Sequence, residues 1–199
     1  MKKLLCVLTM AFFFSISAFA ISTGEIAPEF LLKDVQGKTH SLSQYKGKIV
    51  VLEWFNPECP FVRKHYDSKN MQTLQKEMVA KGVVWLTINS SAKGKQGHLE
   101  QDTGKQVFAE RGMESTALLL DGDGKVGRMF DAKTTPHLFA IGPKGTIIYQ
   151  GAIDNKPSIN PADVKGAENY VRKTLNEALG GKAVTTASTS AYGCSIKYE

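Results

Sequence analysis

The chain has 199 residues, with 25 Lys and Arg against 19 Asp and Glu and a formal net charge of +6. Its basic residues are scattered, with no dense Lys/Arg tract, so the surface is solvated and a nucleic-acid footprint is excluded. A chain of this length buries a core of its own and has no need of disulfides to fold.

Residues 1–20 predict an address. Lys2 and Lys3 precede an apolar run over 4–14, and Ala18-Phe19-Ala20 is a small-x-small cleavage signal. Cleavage is expected after Ala20, with delivery to the periplasm or outside the cell. The apolar run is short for a spanning helix and no later run is longer, so the mature chain is not expected to be embedded in a membrane. Cys6 leaves with the leader. Cys59 and Cys194 remain, in a compartment where two thiols are paired or redox-active.

Residues 30–35 and 39–42 flank the turn Gln36-Gly37-Lys38 and predict a hairpin. Residues 49–55 form an apolar, β-branched and aromatic run broken only by Glu53, as in a strand covered on both faces. Asn56-Pro57-Glu58 breaks the run. Pro60 suits the first turn of a helix, where its missing N–H costs nothing. That helix is expected over 60–81, with a bend or restart at 67–70 and a core stripe of Met71, Leu74 and Met78. Further strands are expected at 83–89 and 117–120, and helices at 98–111 and 125–130. Asp121-Gly122-Asp123-Gly124 lacks the remaining ligands of a calcium loop and reads as a turn. Thr135-Pro136 opens a strand that turns at 142–145 and returns over 146–151. A last helix is expected from Pro161, with Val164, Ala167, Val171, Leu175 and Leu179 on one face. Residues 182–199 read as an irregular tail, which sets the folded domain at 21–181.

Cys59 follows a strand and a tight turn and begins a helix. The unpaired N–H groups and dipole there favour a negative sulfur, and Arg63, one turn on, is placed to add to this. The residues therefore suit a nucleophile. Glu53 lies inside the preceding strand, where a carboxylate is costly unless it has a partner or a task.

The strand–turn–cysteine–helix unit and the later Thr135-Pro136 strand resemble the thioredoxin-like fold. The similarity is closest to the exported peroxiredoxin-like redoxins of the alkyl hydroperoxide reductase/thiol-specific antioxidant type, and covers nearly all of 27–180. The resemblance implies an α/β, three-layer fold: a central mixed sheet with helices on both faces. It implies a thiol oxidoreductase in which Cys59 attacks, Glu53 accepts protons, and Pro60, Thr135 and the cis-proline Pro136 line the substrate site. Its partners would be protein thiols and disulfides or a hydroperoxide, with an unidentified thiol as reductant and no cofactor. Gly151-Ala152-Ile153-Asp154-Asn155 and Tyr192-Gly193-Cys194-Ser195-Ile196-Lys197 resemble motifs of a peroxiredoxin-like subgroup.

The pattern also departs from the family. Val62 stands where the second cysteine of a Cys-x-x-Cys motif belongs. Asn56 and Leu52 stand where peroxiredoxins carry a hydroxyl residue and a proline. Cys194 is therefore the candidate resolving thiol. Its segment extends roughly 40 Å from the last helix, against a domain radius of gyration near 16 Å, so reach is no obstacle. A disulfide between chains and a static staple stay open as alternatives. So does a binding module that holds an extended partner without turnover. A metal at Cys59, His65 and His137 lacks the closely spaced cysteine pair of thioredoxin-fold copper chaperones, and none is expected.

Overall fold

A computed structural model describes residues 21–199. The expected leader and its cleavage point lie outside them. The first hairpin forms from β1 (Leu31–Asp34) and β2 (Thr39–Ser41). The apolar runs become β3 (Val50–Trp54) and β4 (Val84–Asn89), each buried at every position. Burial on both faces follows from their place at the centre of the sheet.

With β5 (Ala117–Leu120), β7 (His137–Ile141) and β8 (Ile147–Gly151), these strands build one seven-stranded sheet in the order β2-β1-β5-β4-β3-β7-β8. The sheet is mixed. β3 runs parallel to β4 and antiparallel to β7, which pairs Glu53 with Thr87 on one side and with Leu138 on the other. The short strand β6 (Thr134–Thr135) stands apart from the sheet.

Helices α1 (Pro60–Asp67) and α2 (Asn70–Ala80) divide where a restart was expected. The divider is Lys69, at a left-handed φ of 60°. Met71, Leu74 and Met78 of α2 are fully buried, each contributing roughly 1.5–3 kcal/mol by leaving water. They share one core with Phe55, Cys59, Val62, Tyr66 and Trp85, and with Val171 and Leu175 of α5 (Tyr170–Leu179). Helix α3 (Gln101–Glu110) packs Val107 and Phe108 against the same core. The opposite face carries a second core around Trp54, Phe130 and Phe139, covered by the short α4 (Lys125–Met129). Helices thus flank a mixed sheet on both faces, as a thioredoxin-like fold requires, with most of them on one side.

Two expectations change. The last helix begins only at Tyr170; Pro161–Val164 is a separate 3-10 turn, so Val164 and Ala167 precede the helical face. Two rigid starts explain this. Pro161 opens the turn, and Asn169 caps the true helix by accepting from Arg172 N at 2.8 Å. The C-terminal segment is also more ordered than an irregular tail. Thr189 ties it to the end of β8 and the residue beyond: Thr189 N donates to Gln150 O, and Ala152 N donates to Thr189 Oγ1. Beyond it, β9 (Cys194–Ser195) pairs antiparallel with β6, and Ile196 enters the second core. The Asp121 carboxylate accepts from Val126 N, Gly127 N and Ser90 Oγ at the start of α4.

Candidate active site

Cys59 is the N-cap of α1, with extended backbone and Pro60 as the first helical residue. The turn before it is fixed from three directions. Asn56 Oδ1 accepts from Glu58 N at 2.9 Å, Asn56 Nδ2 donates to Gln96 O, and Arg111 Nη2 donates to Pro57 O. Gly97 packs so close that a Cβ there would lie 2.0 Å from Asn56 Oδ1. Arg63 does not serve the sulfur. Its side chain is exposed and turns to Asp67, one helical turn on.

The Cys59 side chain is fully buried. Its Sγ lies 3.0 Å from Thr135 O, to which the S–H donates, and 2.6 Å from Cys194 Sγ. Both cysteines are free thiols. The Thr135–Pro136 peptide is cis, and Thr135 pairs with Cys194 across the β6–β9 ladder. The two residues expected at the substrate edge therefore meet both cysteines at one point. Pro60 is exposed beside them. The Thr135 hydroxyl is buried and has no hydrogen-bond partner among the described residues. Burial, then the adjoining Cys59 sulfur, push the Cys194 thiol up to about 12, so it keeps its proton at neutral pH while Cys59 is unmodified.

Glu53 is fully buried on β3 and sits in a cage of donors. Oε1 accepts from Tyr66 Oη at 2.8 Å. Oε2 accepts from Trp85 Nε1 at 2.8 Å, Gln75 Nε2 at 2.9 Å and Thr87 Oγ1 at 3.3 Å. Burial raises its carboxyl above the usual range, and these donors, Trp85 first, oppose the rise. None of its hydrogen bonds reaches Cys59. It connects to the cysteine through Tyr66, which belongs to the same helix.

A second polar network stands on the other side of α1. Lys64 and Asp154 are buried, with Lys64 Nζ 3.5 Å from Asp154 Oδ2 and 2.5 Å from Lys156 O. Tyr192 Oη donates to Asp154 Oδ1 at 2.5 Å, and His65 Nε2 lies 3.1 Å from the same hydroxyl. Since Tyr192 donates its proton to Asp154, its oxygen accepts from His65 Nε2–H. His65 Nδ1 is then free to accept from Asn70 Nδ2 at 2.9 Å. Burial pushes His65 down to about 4, with Asp154 opposing and Lys64 adding to the shift. The ring of Tyr192 also rests on Phe61, with centroids 5.8 Å apart. These contacts fix the chain two residues before Cys194.

Sequence reasoning reached Cys59, Cys194, Glu53, Thr135 and Pro136 but assigned nothing to Lys64, Asp154 or Tyr192. The signal was present in the two motifs containing Asp154 and Tyr192, which separate stretches of sequence do not show to be in contact. His65 and His137, weighed with Cys59 for a metal, point elsewhere: His65 to Tyr192 and Asn70, His137 to Phe139 and Lys133 N. Among the described residues no group of three or more His, Cys, Asp or Glu is close enough to hold a metal.

The comparisons with known proteins agree with this architecture. The thiol-disulfide oxidoreductase ResA of Bacillus subtilis is 28% identical over 129 residues, covering 65% of this chain and 66% of that protein, just under two thirds of its length. An uncharacterized conserved protein from Geobacillus kaustophilus superposes with a TM-score of 0.78 at 26% identity, covering 89% of this chain and 92% of the other. The thioredoxin domain of a thiol-disulfide oxidoreductase from Bacteroides vulgatus shares the fold, with a TM-score of 0.52 at 22% identity over 65% of this chain and 88% of that one. Residues 23–150 match the AhpC/TSA family, and with the thioredoxin-like sheet and the cysteine at the start of α1 the chain belongs to that family.

Proposed function

We propose that the protein is a thiol–disulfide oxidoreductase that works through a Cys59–Cys194 pair. The observation that carries this is the 2.6 Å approach of the two sulfurs at the N-terminus of α1. The Cys59 thiolate attacks one sulfur of a substrate disulfide. A Cys59–substrate disulfide forms and the other substrate thiolate leaves. Cys194 then attacks the Cys59 sulfur, forming Cys59–Cys194 and releasing the second substrate thiolate. Two electrons pass from the pair to the substrate, and an external thiol reductant restores the dithiol. The second step is helped by the first. Burial is the first cause that holds the proton on Cys194 and the adjoining Cys59 sulfur the second, and bonding Cys59 to substrate removes the second.

ResA is named as a thiol-disulfide oxidoreductase, which supports protein thiols and disulfides as partners. A hydroperoxide is a weaker fit, because Asn56 spends its side chain on Glu58 N and Gln96 O rather than offering a hydroxyl beside Cys59. The role for Glu53 is to seat α1 through Tyr66 and to exchange protons at one remove from the sulfur. The leader at 1–20 supports export, with residues 21–181 as the working domain and the tail as its resolving arm.

Mass mapping of the mature protein tests this. Oxidation followed by digestion is expected to yield a Cys59–Cys194 peptide within one chain, reduced again by dithiothreitol. Cys194→Ser is expected to accumulate Cys59 as a mixed disulfide and lower multiple turnover at least tenfold. Two thiols that stay free through oxidation sink the proposal, and unchanged turnover in Cys194→Ser removes Cys194 from it.

A further inference from the structure

We infer that the loop between β4 and α3 joins the C-terminal segment in a cationic rim beside Cys59, and that this rim selects protein disulfides flanked by carboxylates. The rim is Lys93, Lys95 and Lys197. The inference rests on the oxidoreductase reading for what the partner is, and deepens it by naming the partner's charge.

The loop is built onto the site. Asn56 Nδ2 donates to Gln96 O and Gly97 N donates to Glu58 Oε1, so one foot of the loop stands on the turn that carries Cys59. Asn89 Nδ2 donates to Gly97 O at 2.9 Å and to Phe55 O at 3.1 Å, which closes that foot against the ends of β3 and β4. The other foot meets the C-terminal segment just past Cys194, where Ala92 N donates to Lys197 O at 2.8 Å. Ser90, Ser91, Ala92 and Gly97 are buried, and Lys93, Gly94, Lys95 and Gln96 form an exposed crest between them. The fold thereby gathers two lysines of the crest and one from the far end of the sequence around the same pair of sulfurs.

Their charge is not cancelled locally. Among the described residues Lys95 and Lys197 have no ion-pair partner. Lys93 lies 3.7 Å from Glu100, but both side chains are mostly exposed and such a pair is weak. Glu58, next to Cys59, gives one oxygen to Gly97 N. Beside β6, Lys133 and Asp131 pair at 3.0 Å and offset each other. The rim's field also reaches the sulfurs. Burial, then the Cys59 sulfur, raise the Cys194 thiol, and Lys197 is the charge that opposes them. An anionic partner is therefore drawn toward Cys59 before contact, and a cationic one is repelled. The reach is about 30 Å at 0.01 M salt and about 8 Å at 0.15 M, so the preference fades with ionic strength.

The test uses the reduced mature chain in single turnover with short synthetic peptide disulfides flanked by aspartate, by serine or by lysine. The aspartate peptide is expected to react at least about tenfold faster than the lysine peptide at about 0.01 M salt, with the serine peptide between them and the gap closing at about 0.5 M. Lys93→Gln, Lys95→Gln and Lys197→Gln in one chain are expected to lower the aspartate-to-serine rate ratio at least about threefold. The control combines Lys46→Gln, Lys48→Gln and Lys144→Gln. It removes the same charge at the opposite end of β3, where Val50 pairs with Ile141 and Gly47 N donates to Pro143 O, and is expected to keep the parent ratio. A second readout needs no disulfide exchange. The rate of Cys59 alkylation by anionic iodoacetate relative to neutral iodoacetamide, mapped by mass, is expected to fall in the rim variant alone. An unchanged aspartate-to-serine ratio in the rim variant overturns the inference. An equal fall in the control also overturns it, because the effect then belongs to net charge. A parent that reduces none of the peptides sinks the oxidoreductase reading instead, and the alkylation ratio then decides the rim by itself.

Discussion

Two buried carboxylates hold the helix that carries Cys59, and they are built on opposite plans. Glu53 lies in the central strand with four donors from α1, α2 and β4, and every partner is part of the rigid core. Asp154 joins α1 to the C-terminal tail. One of its oxygens takes Tyr192 Oη and Lys156 N, while the other has no hydrogen bond among the described residues and faces the Lys64 ammonium at 3.5 Å. A saturated carboxylate fixes geometry. A carboxylate sharing its charge with a lysine and its hydrogen bonds with the C-terminal segment ties that segment to α1. The difference sets the rigid network under the seat of Cys59 and the articulated one against the segment that carries Cys194.

Breaking the articulated network gives the largest expected effect. Asp154→Ala leaves Lys64 charged and buried without its counter-ion, a change that typically costs about 3–5 kcal/mol. Urea unfolding is the measurement. Replacing both partners together, Lys64→Met with Asp154→Leu, is expected to recover most of that loss, because it removes the desolvation cost along with the attraction. The double variant still lacks the acceptor for Tyr192, so Cys59 is expected to be alkylated faster than in the parent even where stability returns. A loss below about 1 kcal/mol in Asp154→Ala contradicts the assignment of a buried ion pair.

The rigid network is expected to give less. Glu53→Gln keeps an oxygen for Gln75, Trp85 and Thr87, and the Tyr66 hydroxyl can turn to accept from the new amide, so about 1–2 kcal/mol is the expected cost. The pH response is the sharper reading. Burial holds the Glu53 carboxyl above its ordinary value of 4.5. The folded state therefore binds this proton more tightly than the unfolded chain, and stability from this group falls as pH rises from 4.5 through the folded value. Glu53→Gln removes that slope. A pH–stability curve that keeps it assigns the slope elsewhere. A shift in the pH profile of Cys59 alkylation measures how far Glu53 exchanges protons with the sulfur.

These networks also mark what sequence could reveal. Residues 49–55 announced a central strand because an unbroken apolar run has no polar face to give to water. Cys59 followed because a strand, a turn and Pro60 place it at a helix start. Glu53 was visible as the one charge in that run. Its four donors were not, because Tyr66, Gln75, Trp85 and Thr87 come from three elements whose packing decides which of them converge. Lys64 read as an ordinary helical residue, His65 drew notice only as a possible metal ligand, and Asp154 only as part of a motif at the start of a loop. Their burial depends on a tail that returns from residue 182 to the far end of the sheet, a long-range closure no local pattern encodes. The tail looked irregular for the same reason: its order comes from β6 and β8, not from its own propensity.

Acid gives the smallest effect and divides the articulated network from the rest of the core. His65 is pushed down to about 4 from 6.5 by burial, and His137 likewise to about 4. For both, the unfolded chain takes up the proton first. Their contribution to stability is present above pH 6.5 and is lost as pH falls toward about 4, opposite in sign to that of Glu53. The two histidines differ in what they touch. Protonation of His65 at Nδ1 displaces the Asn70 amide and sets a second positive charge beside Lys64, on the residue that holds Tyr192. His137 packs against Phe139, away from Tyr192. Hydrogen-exchange protection at Cys194 and Ile196 is therefore expected to fall between pH 6.5 and about 4 in the parent and in His137→Gln, and to lose that acid dependence in His65→Gln. Stability is expected to lose part of its acid slope in both variants. Equal tail protection across this range in the parent means that His65 supports the core alone and that Tyr192 is held by Asp154 without its help.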